Sequence, residues 1–389
     1  MVKIMSVVGA RPNFMKAAPV MQALGKRKGW EQRLVHTDQH YDDKLSRVFF
    51  DELGLPKPDL HLGVRSGSHA GQTAEIMVRF EQVVLSERPS LVVVYGDVNS
   101  TLACALVCAK TGIPVAHVEA GLRSFDRTMP EEVNRTLTDH LADLLFTTEP
   151  SARPNLLREG IAEEKIFFVG NVMVDTLLRH RERARKTRFA QALELAPRSY
   201  GLLTLHRPSN VDAPETLAGI LEAVQELAAR LPIVFPCHPR TRRQLEGSRF
   251  ESLLRSGSDG GMPEGRLMVT EPLGYLEFLS LMTDARLVLT DSGGIQEGTT
   301  VLGVPCLTLR ENTERPVTIE QGTNVLVGTS RRRILEAATR VLEGDFAAGR
   351  VPELWDGRAT ERIAAILEDR LLPRARMEQL PLHHQGATP

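Results

Sequence analysis

The segment "HVEAGLRSFDRTMPEEVNR" (117–135) crowds Glu119, Arg123, Asp126, Arg127, Glu131, Glu132 and Arg135 into a short stretch directly after an apolar run. A charged loop of this kind is most often a solvated surface. It becomes an active-site rim when the rest of the chain brings other reactive groups to the same place. Asp97, in "YGDVNST", is one such group, again directly after an apolar run. Asp97, Glu119 and Glu131 gathered over one cleft would repel one another, which raises at least one carboxyl pKa and creates an acid/base pair. Lys16 and the arginines would pull the others down. Glu132 has a plainer explanation, as an acid complementing the start of a helix.

A second group of residues suits an anion. In "LVLTDSGGIQEGTTVLGVPCLTL", Ser292, Gly293 and Gly294 open a helix after a strand, so free backbone N–H groups and the positive helix end face outward. Glycine there lets a phosphate approach the backbone closely. The competing reading is an ordinary helix start capped by Ser292. "GARPNFMK" repeats the arrangement at the N-terminus, with Gly9 turning the chain and Arg11 and Lys16 supplying charge. Arg135, Arg207 and Arg315 add cations to the same rim. Two such turns facing each other across a cleft would suit a diphosphate. The chain has no Walker "GxxxxGK[ST]" and no "GxGxxG" after its first strand, so no ATP hydrolysis and no dinucleotide cofactor is indicated. No DxD-like carboxylate pair suggests a divalent metal, and the expectation is no cofactor and no metal.

These residues need a scaffold that collects strand ends. Apolar runs at 2–8, 33–37, 91–95, 114–118, 144–148 and 165–169 predict six strands in the first half. Runs at 201–205, 232–235, 266–270, 286–290, 305–309 and 324–327 predict six more. They are apolar throughout rather than alternating, as in strands covered on both faces. Helical stretches between them imply βαβ units, hence two doubly wound parallel-sheet α/β domains. We place the domains at 1–170 and 171–358, with an amphipathic C-terminal helix (359–380) returning to the first. Ligands of open parallel sheets bind outside the carboxyl ends of the strands. Nearly every strand here ends in charge, histidine or glycine: "GARPNFMK", "DQHYD", "GDVNST", "EAGLRS", "HRPSN", "CHPRT", "EPLGY", "DSGG" and "RENTERP". An interdomain cleft lined by these loops follows.

A chain of 389 residues exceeds what one core usually organises. Its formal net charge of −1 gives no overall field to gather nucleic acid or an anionic membrane, so an anionic ligand must be held by local groups. No stretch approaches the apolar length of a membrane span, and "MVKIMSVVGARP" is too short for a signal sequence; the expected location is cytoplasmic. Cys104, Cys108, Cys237 and Cys306 lack metal-ligand spacing and read as buried structural thiols.

With these motifs assembled, "GARPNFMKAAP", "GDVNSTLA", "HVEAGLRS", "PEEVNR", "LHRPSN", "TDSGGIQE", "GVPCLTLRENTERP" and "GTNVLVG" resemble the non-hydrolysing UDP-N-acetylglucosamine 2-epimerases, in the family's order from about residue 4 to about residue 328. The resemblance implies two Rossmann-like domains in the GT-B arrangement and a homodimer. It implies interconversion of UDP-N-acetylglucosamine and UDP-N-acetylmannosamine. By motif, Asp97, Glu119, Glu131 and His206 would be catalytic. Arg11, Lys16, Arg135, Ser292, Gly293, Gly294 and Arg315 would contact the nucleotide-sugar, with Phe278 by the uracil. Many members carry a second acid where Gly298 stands, which leaves either Glu297 or a weaker contact at the ribose. The loop "DQHYDDKLS" lacks the glutamine-rich form of members with an allosteric site, although Gln72 remains. Alternatives are an epimerase of a related UDP-diacetamido sugar, a GT-B glycosyltransferase, and a catalytically silent nucleotide-sugar sensor.

Overall fold

A computed structural model describes residues 2–39, 49–255 and 266–377. The runs of Val, Ile, Leu and Phe form two separate parallel sheets whose strands are buried by helices on both faces. The first contains β1 (Val2–Val8), β2 (Trp30–His36), β3 (Leu60–His61), β4 (Leu91–Tyr95), β5 (Val115–Ala120), β6 (Leu144–Thr147) and β7 (Ile166–Phe168). The second contains β8 (Gly201–Thr204), β9 (Ile233–Pro236), β10 (Leu267–Thr270), β11 (Leu287–Thr290), β12 (Cys306–Thr308) and β13 (Asn324–Leu326). Their spatial orders are β3-β2-β1-β4-β5-β6-β7 and β10-β9-β8-β11-β12-β13. Among the described residues the strands therefore number seven and six, not six and six. The extra one, β3, is two residues long, with Leu60 half-buried and His61 exposed at the sheet edge, so no apolar run announces it.

Strand order reverses between β1 and β4 in one sheet and between β8 and β11 in the other. Connections depart in opposite directions at these points and leave a crevice above the carboxyl ends. The first sheet is sandwiched between two apolar layers, one containing Phe14, Leu24 and Tyr95, the other Phe80, Val94 and Leu145. Two further layers enclose the second sheet. All four cysteines are buried free thiols.

The C-terminal helix Ala359–Met377 packs into the apolar layer over β1. Ala359, Ile363, Ala364, Leu367 and Leu371 pack with Val2, Ile4 and Leu24. Asp175 caps its start, accepting the backbone N–H groups of Ala359 and Thr360 at 3.1 and 2.8 Å. The chain thus passes twice between the halves, and the two passages touch. Gly170 has φ +86°, and a Cβ there would lie 2.1 Å from the Leu354 carbonyl oxygen, so no other residue fits. Arg362 Nη1 donates to the Val169 carbonyl at 3.0 Å beside them. Residues 378–380 of the expected helix and the tail "PLHHQGATP" lie outside the described residues. No helix among the described residues is long and apolar enough to cross a membrane.

Candidate active site

Three strand ends of the first sheet supply the floor of the cleft. Glu119, near the end of β5, adopts φ +77°, a left-handed conformation that costs a non-glycine residue on the order of 1–3 kcal/mol. The pairing of β5 with β6 slips at this residue, between Val118 and Ala120, which re-aims the side chain. Glu119 is buried, and its Oε1 accepts from Lys16 Nζ at 2.6 Å and lies 3.3 Å from Arg315 Nη2. Its Oε2 is buried with no hydrogen-bond partner. Strain, burial and an unsatisfied oxygen on one carboxylate mark a functional position. Asp97, on the turn after β4, is bound to Arg135 Nη2, and Asn134 Nδ2 donates to its carbonyl at 2.9 Å.

The second sheet meets this floor with Arg315, which is buried and triply engaged. Its Nε donates to Glu297 Oε1 at 2.5 Å, its Nη1 to Glu314 Oε1 at 2.6 Å, and its Nη2 reaches Glu119 across the cleft. The helix Gly293–Leu302 starts against it. A Cβ on Gly293 would lie 2.4 Å from Arg315 Nη1 and 2.8 Å from Glu314 Oε1, so only glycine allows guanidinium and helix start to meet. Ser292 occupies the N-cap position but its side chain makes no capping bond, contrary to the plain helix-start reading. His206, after β8, is oriented by fully buried Asp291, whose Oδ1 lies 2.8 Å from His206 Nδ1. Burial opposes ionisation of Asp291, but His206 and the N–H groups of His206 and Arg207 hold its carboxyl below the ordinary range.

The electrostatics divide the acids into two sets. Burial would raise Asp97, but Arg135, then Lys16, bring it below its ordinary value. Glu314 is likewise driven well below, burial being overcome by Arg315, Arg310, Arg207 and Arg135. Glu297 and Glu149 go the other way: burial raises both, and Arg315 offsets it only partly. The raised carboxyls are Glu297 and Glu149, neither of them among the three acids expected to supply one, and burial is the main cause; Asp97 is lowered.

Glu149, Glu314, Arg310 and Asp291 were missed in the sequence. Glu149 directly follows the β6 run, so the rule applied to the other strand ends would have found it. Its side chain is buried, Ser151 Oγ donates to Oε1 at 2.5 Å, and Oε2 has no partner. Its pKa is pushed up to about 7 from 4.5. The folded protein therefore binds this proton more tightly than the unfolded chain, and the group's contribution to stability falls as pH rises from about 4.5 to about 7. Glu149→Gln should remove that slope. Relative to the parent, the variant should gain up to about 3 kcal/mol between about pH 4.5 and pH 7.5. Denaturant midpoints of both proteins across this range check it; parallel curves would refute the assignment.

Other expected residues lie nearer the rim. Arg11 stands over the Phe49 ring, 5.9 Å from its centre. Phe278 is half-buried on the helix Tyr275–Asp284. Glu131 is exposed on the first turn of the helix Pro130–Leu141. Its neighbour Glu132 does more than complement the helix dipole: it is buried, pairs with Arg135, and accepts the N–H groups of Ser124 and Phe125 at 3.0 and 2.9 Å. Glu297 is committed to Arg315, and a Cβ on Gly298 would strike Met282 Cε at 2.9 Å, so no side chain projects there. Gln72 is buried and bonded to Gln39 and Asn99; His40 to Ser46 of the adjacent loop lie outside the described residues. Among the described residues, His36, Asp38 and His61 are the one group able to gather on a metal. They already satisfy one another, with Asp38 bound to His61 and to the Gly63 N–H, and the Asp38 N–H bound to His36 Nδ1.

Comparison with known proteins places the chain in a family. Residues 22–368 match the model of the family described as UDP-N-acetylglucosamine 2-epimerase. A UDP-N-acetylglucosamine 2-epimerase of Methanocaldococcus jannaschii is 44% identical over 371 residues, covering 94% of this chain and 98% of that protein. The UDP-2,3-diacetamido-2,3-dideoxy-D-glucuronate 2-epimerase of Pseudomonas aeruginosa is 41% identical over 377 residues, covering 94% and 99%. The crystal structure of the M. jannaschii enzyme in complex with UDP-GlcNAc and UDP superposes with a TM-score of 0.85 at 42% identity, covering 95% of this chain and all of that one.

Proposed function

The chain belongs to the UDP-N-acetylglucosamine 2-epimerase family, and from that premise we propose that its cleft interconverts UDP-N-acetylglucosamine and UDP-N-acetylmannosamine by eliminating and re-adding UDP. One observation carries the assignment to residues: the Lys16–Glu119–Arg315 chain of charge, which joins a strained carboxylate of the first half to the helix-start arginine of the second.

The C2 proton of the sugar has no adjacent carbonyl to acidify it. In the elimination, a carboxylate takes that proton, the C2–H electron pair forms a C1=C2 double bond, and the C1–O bond breaks toward UDP. A 2-acetamidoglucal remains. Charge grows on the departing diphosphate, and we assign its stabilisation to Arg315, the Gly293 and Gly294 N–H groups and the helix dipole. For return, a UDP oxygen attacks C1 while a proton is delivered to the opposite face of C2. Two acid/base groups suit the two faces. Asp97, just after β4, and Glu119, on the adjacent strand β5, are the pair we assign, with Glu131 joining them from the rim. His206, aligned by Asp291, serves the diphosphate end. Arg11, Lys16, Arg135, Ser292 and Phe278 are assigned to hold the nucleotide-sugar, and Glu297 to support it through Arg315. Within this reading the two halves comprise 1–170 with the returning helix and 171–358, and the enzyme works in the cytoplasm as a homodimer.

Incubation with UDP-N-acetylglucosamine in deuterium oxide, without acceptor, tests the function. Deuterium should appear at C2 together with the manno epimer, followed by NMR. Absence of exchange overturns the proposal, and release of free N-acetylmannosamine points to hydrolytic chemistry. The UDP-2,3-diacetamido sugar is the second substrate to assay, because a relative at 41% identity is named for it.

A further inference from the structure

Beneath the assigned carboxylates lies a buried pair that the chemistry described so far does not use. His117, on β5, is completely buried, as is Asp139 on the helix Pro130–Leu141. His117 Nδ1 lies 2.7 Å from Asp139 Oδ1, and its Nε2 lies 2.7 Å from the carbonyl oxygen of Gly96. A carbonyl oxygen can only accept. Asp139 is also an acceptor, because the donors on its other oxygen favour the carboxylate. Its other oxygen is occupied by the Gly121 N–H at 3.0 Å and by Arg123 Nη1 at 2.8 Å. Both imidazole nitrogens therefore face acceptors at hydrogen-bonding distance, and a neutral ring would leave one contact with two lone pairs opposed.

We infer that His117 is held as a doubly protonated imidazolium and is a positioning residue for the reaction, fixing the Gly96 carbonyl and with it the turn that presents Asp97. Besides the Gly96 N–H donating to the Val118 carbonyl at 3.0 Å, side chains support the turn at three points. His117 holds Gly96 from below, Asn134 holds the Asp97 carbonyl, and Arg135 holds the Asp97 carboxylate. Lys16 Nζ lies directly over Gly96, 2.7 Å from where a Cβ would stand, so a shift of this turn moves the ammonium that binds Glu119 as well. The charges facing the ring are Asp139 and, behind it, Arg123 with its partner Glu159; Lys16 Nζ and Glu119 Oε1 stand 2.7 and 3.7 Å from where a Gly96 Cβ would lie. The pair is thus a charged floor tying β4, β5 and the Pro130–Leu141 helix together under both assigned acid/base groups.

The catalytic half of this inference rests on the epimerase reading; the protonation half does not. The first test is a long-range proton–nitrogen NMR spectrum of full-length, 15N-labelled protein near neutral pH, with the His117 signals identified by their loss in His117→Gln. Both ring nitrogens should show directly bonded protons and imidazolium shifts. One protonated and one bare nitrogen would overturn the inference, whether or not the protein epimerises anything. The second test compares Asp139→Asn and His117→Gln in the C2 exchange assay. Turnover should fall about 100-fold, the scale for a misplaced acid–base group, while UDP affinity moves by less than about threefold. Unchanged turnover, or equal loss of affinity and turnover, would reject the positioning role. If His117→Gln does not fold, through-bond assignment of the wild-type protein identifies the His117 signals instead, and its spectrum still decides the protonation. If wild type exchanges no deuterium, the epimerase reading falls while the spectrum stands.

Discussion

Glu119→Gln should abolish deuterium exchange at C2, with turnover reduced about 1,000-fold, in the range for loss of a positioned acid/base group. The substitution keeps volume and leaves the backbone at φ +77° equally strained, so it isolates the charge. It also takes a counter-ion from Lys16 Nζ and Arg315 Nη2. Both cations then face an incoming diphosphate with less internal competition, and UDP should bind as tightly as to the parent protein or more tightly. Calorimetry with UDP beside the NMR exchange assay separates the two effects. Preserved exchange would remove Glu119 from the chemistry, and loss of UDP binding would show that the side chain shapes the nucleotide site instead.

Arg315→Ala should do more general damage. The guanidinium pairs at once with Glu297, Glu314 and Glu119, all buried, and each leaves an oxygen of its own without a hydrogen-bond partner. Deleting one member of a buried ionic set strands the others at a cost of about 3–5 kcal/mol. Stability should drop by that order, and UDP affinity by about 100-fold, or roughly 2.7 kcal/mol. Arg315→Lys should rescue little, because one ammonium cannot reproduce a planar fork serving three carboxylates. Denaturant unfolding and UDP titration of both variants measure this. A lysine variant close to the parent in both would show that point charge suffices at this position.

The sheets were legible because their strands are continuous apolar runs such as "LVVVY" and "RLVLT", and only burial on both faces explains these. β3 was not, since a two-residue edge ladder leaves no hydrophobic signature. The strand-end rule located Asp97, Glu119 and His206, and the glycine turn at 293–294 announced itself by composition. Sequence could not supply the direction each acid leans. Two neighbours, Glu131 and Glu132, differ by one position on a helix, yet one is exposed and the other is buried against Arg135. Glu314 and Arg310 were hidden for the same reason: their meaning comes from four guanidinium groups converging from β8, β12 and the Pro130–Leu141 helix, and local spacing does not encode that convergence.

The contact between Gly170 and Leu354 constrains how the enzyme can breathe. Two covalent passages that ran far apart would allow the halves only to flex, whereas passages lying side by side act as one pivot. Any opening would then be a swing about that pivot, least beside Trp355, whose indole Nε1 donates to the Thr148 carbonyl at 2.8 Å. A bulky residue at 170 would jam that pivot while leaving every group in the cleft chemically intact.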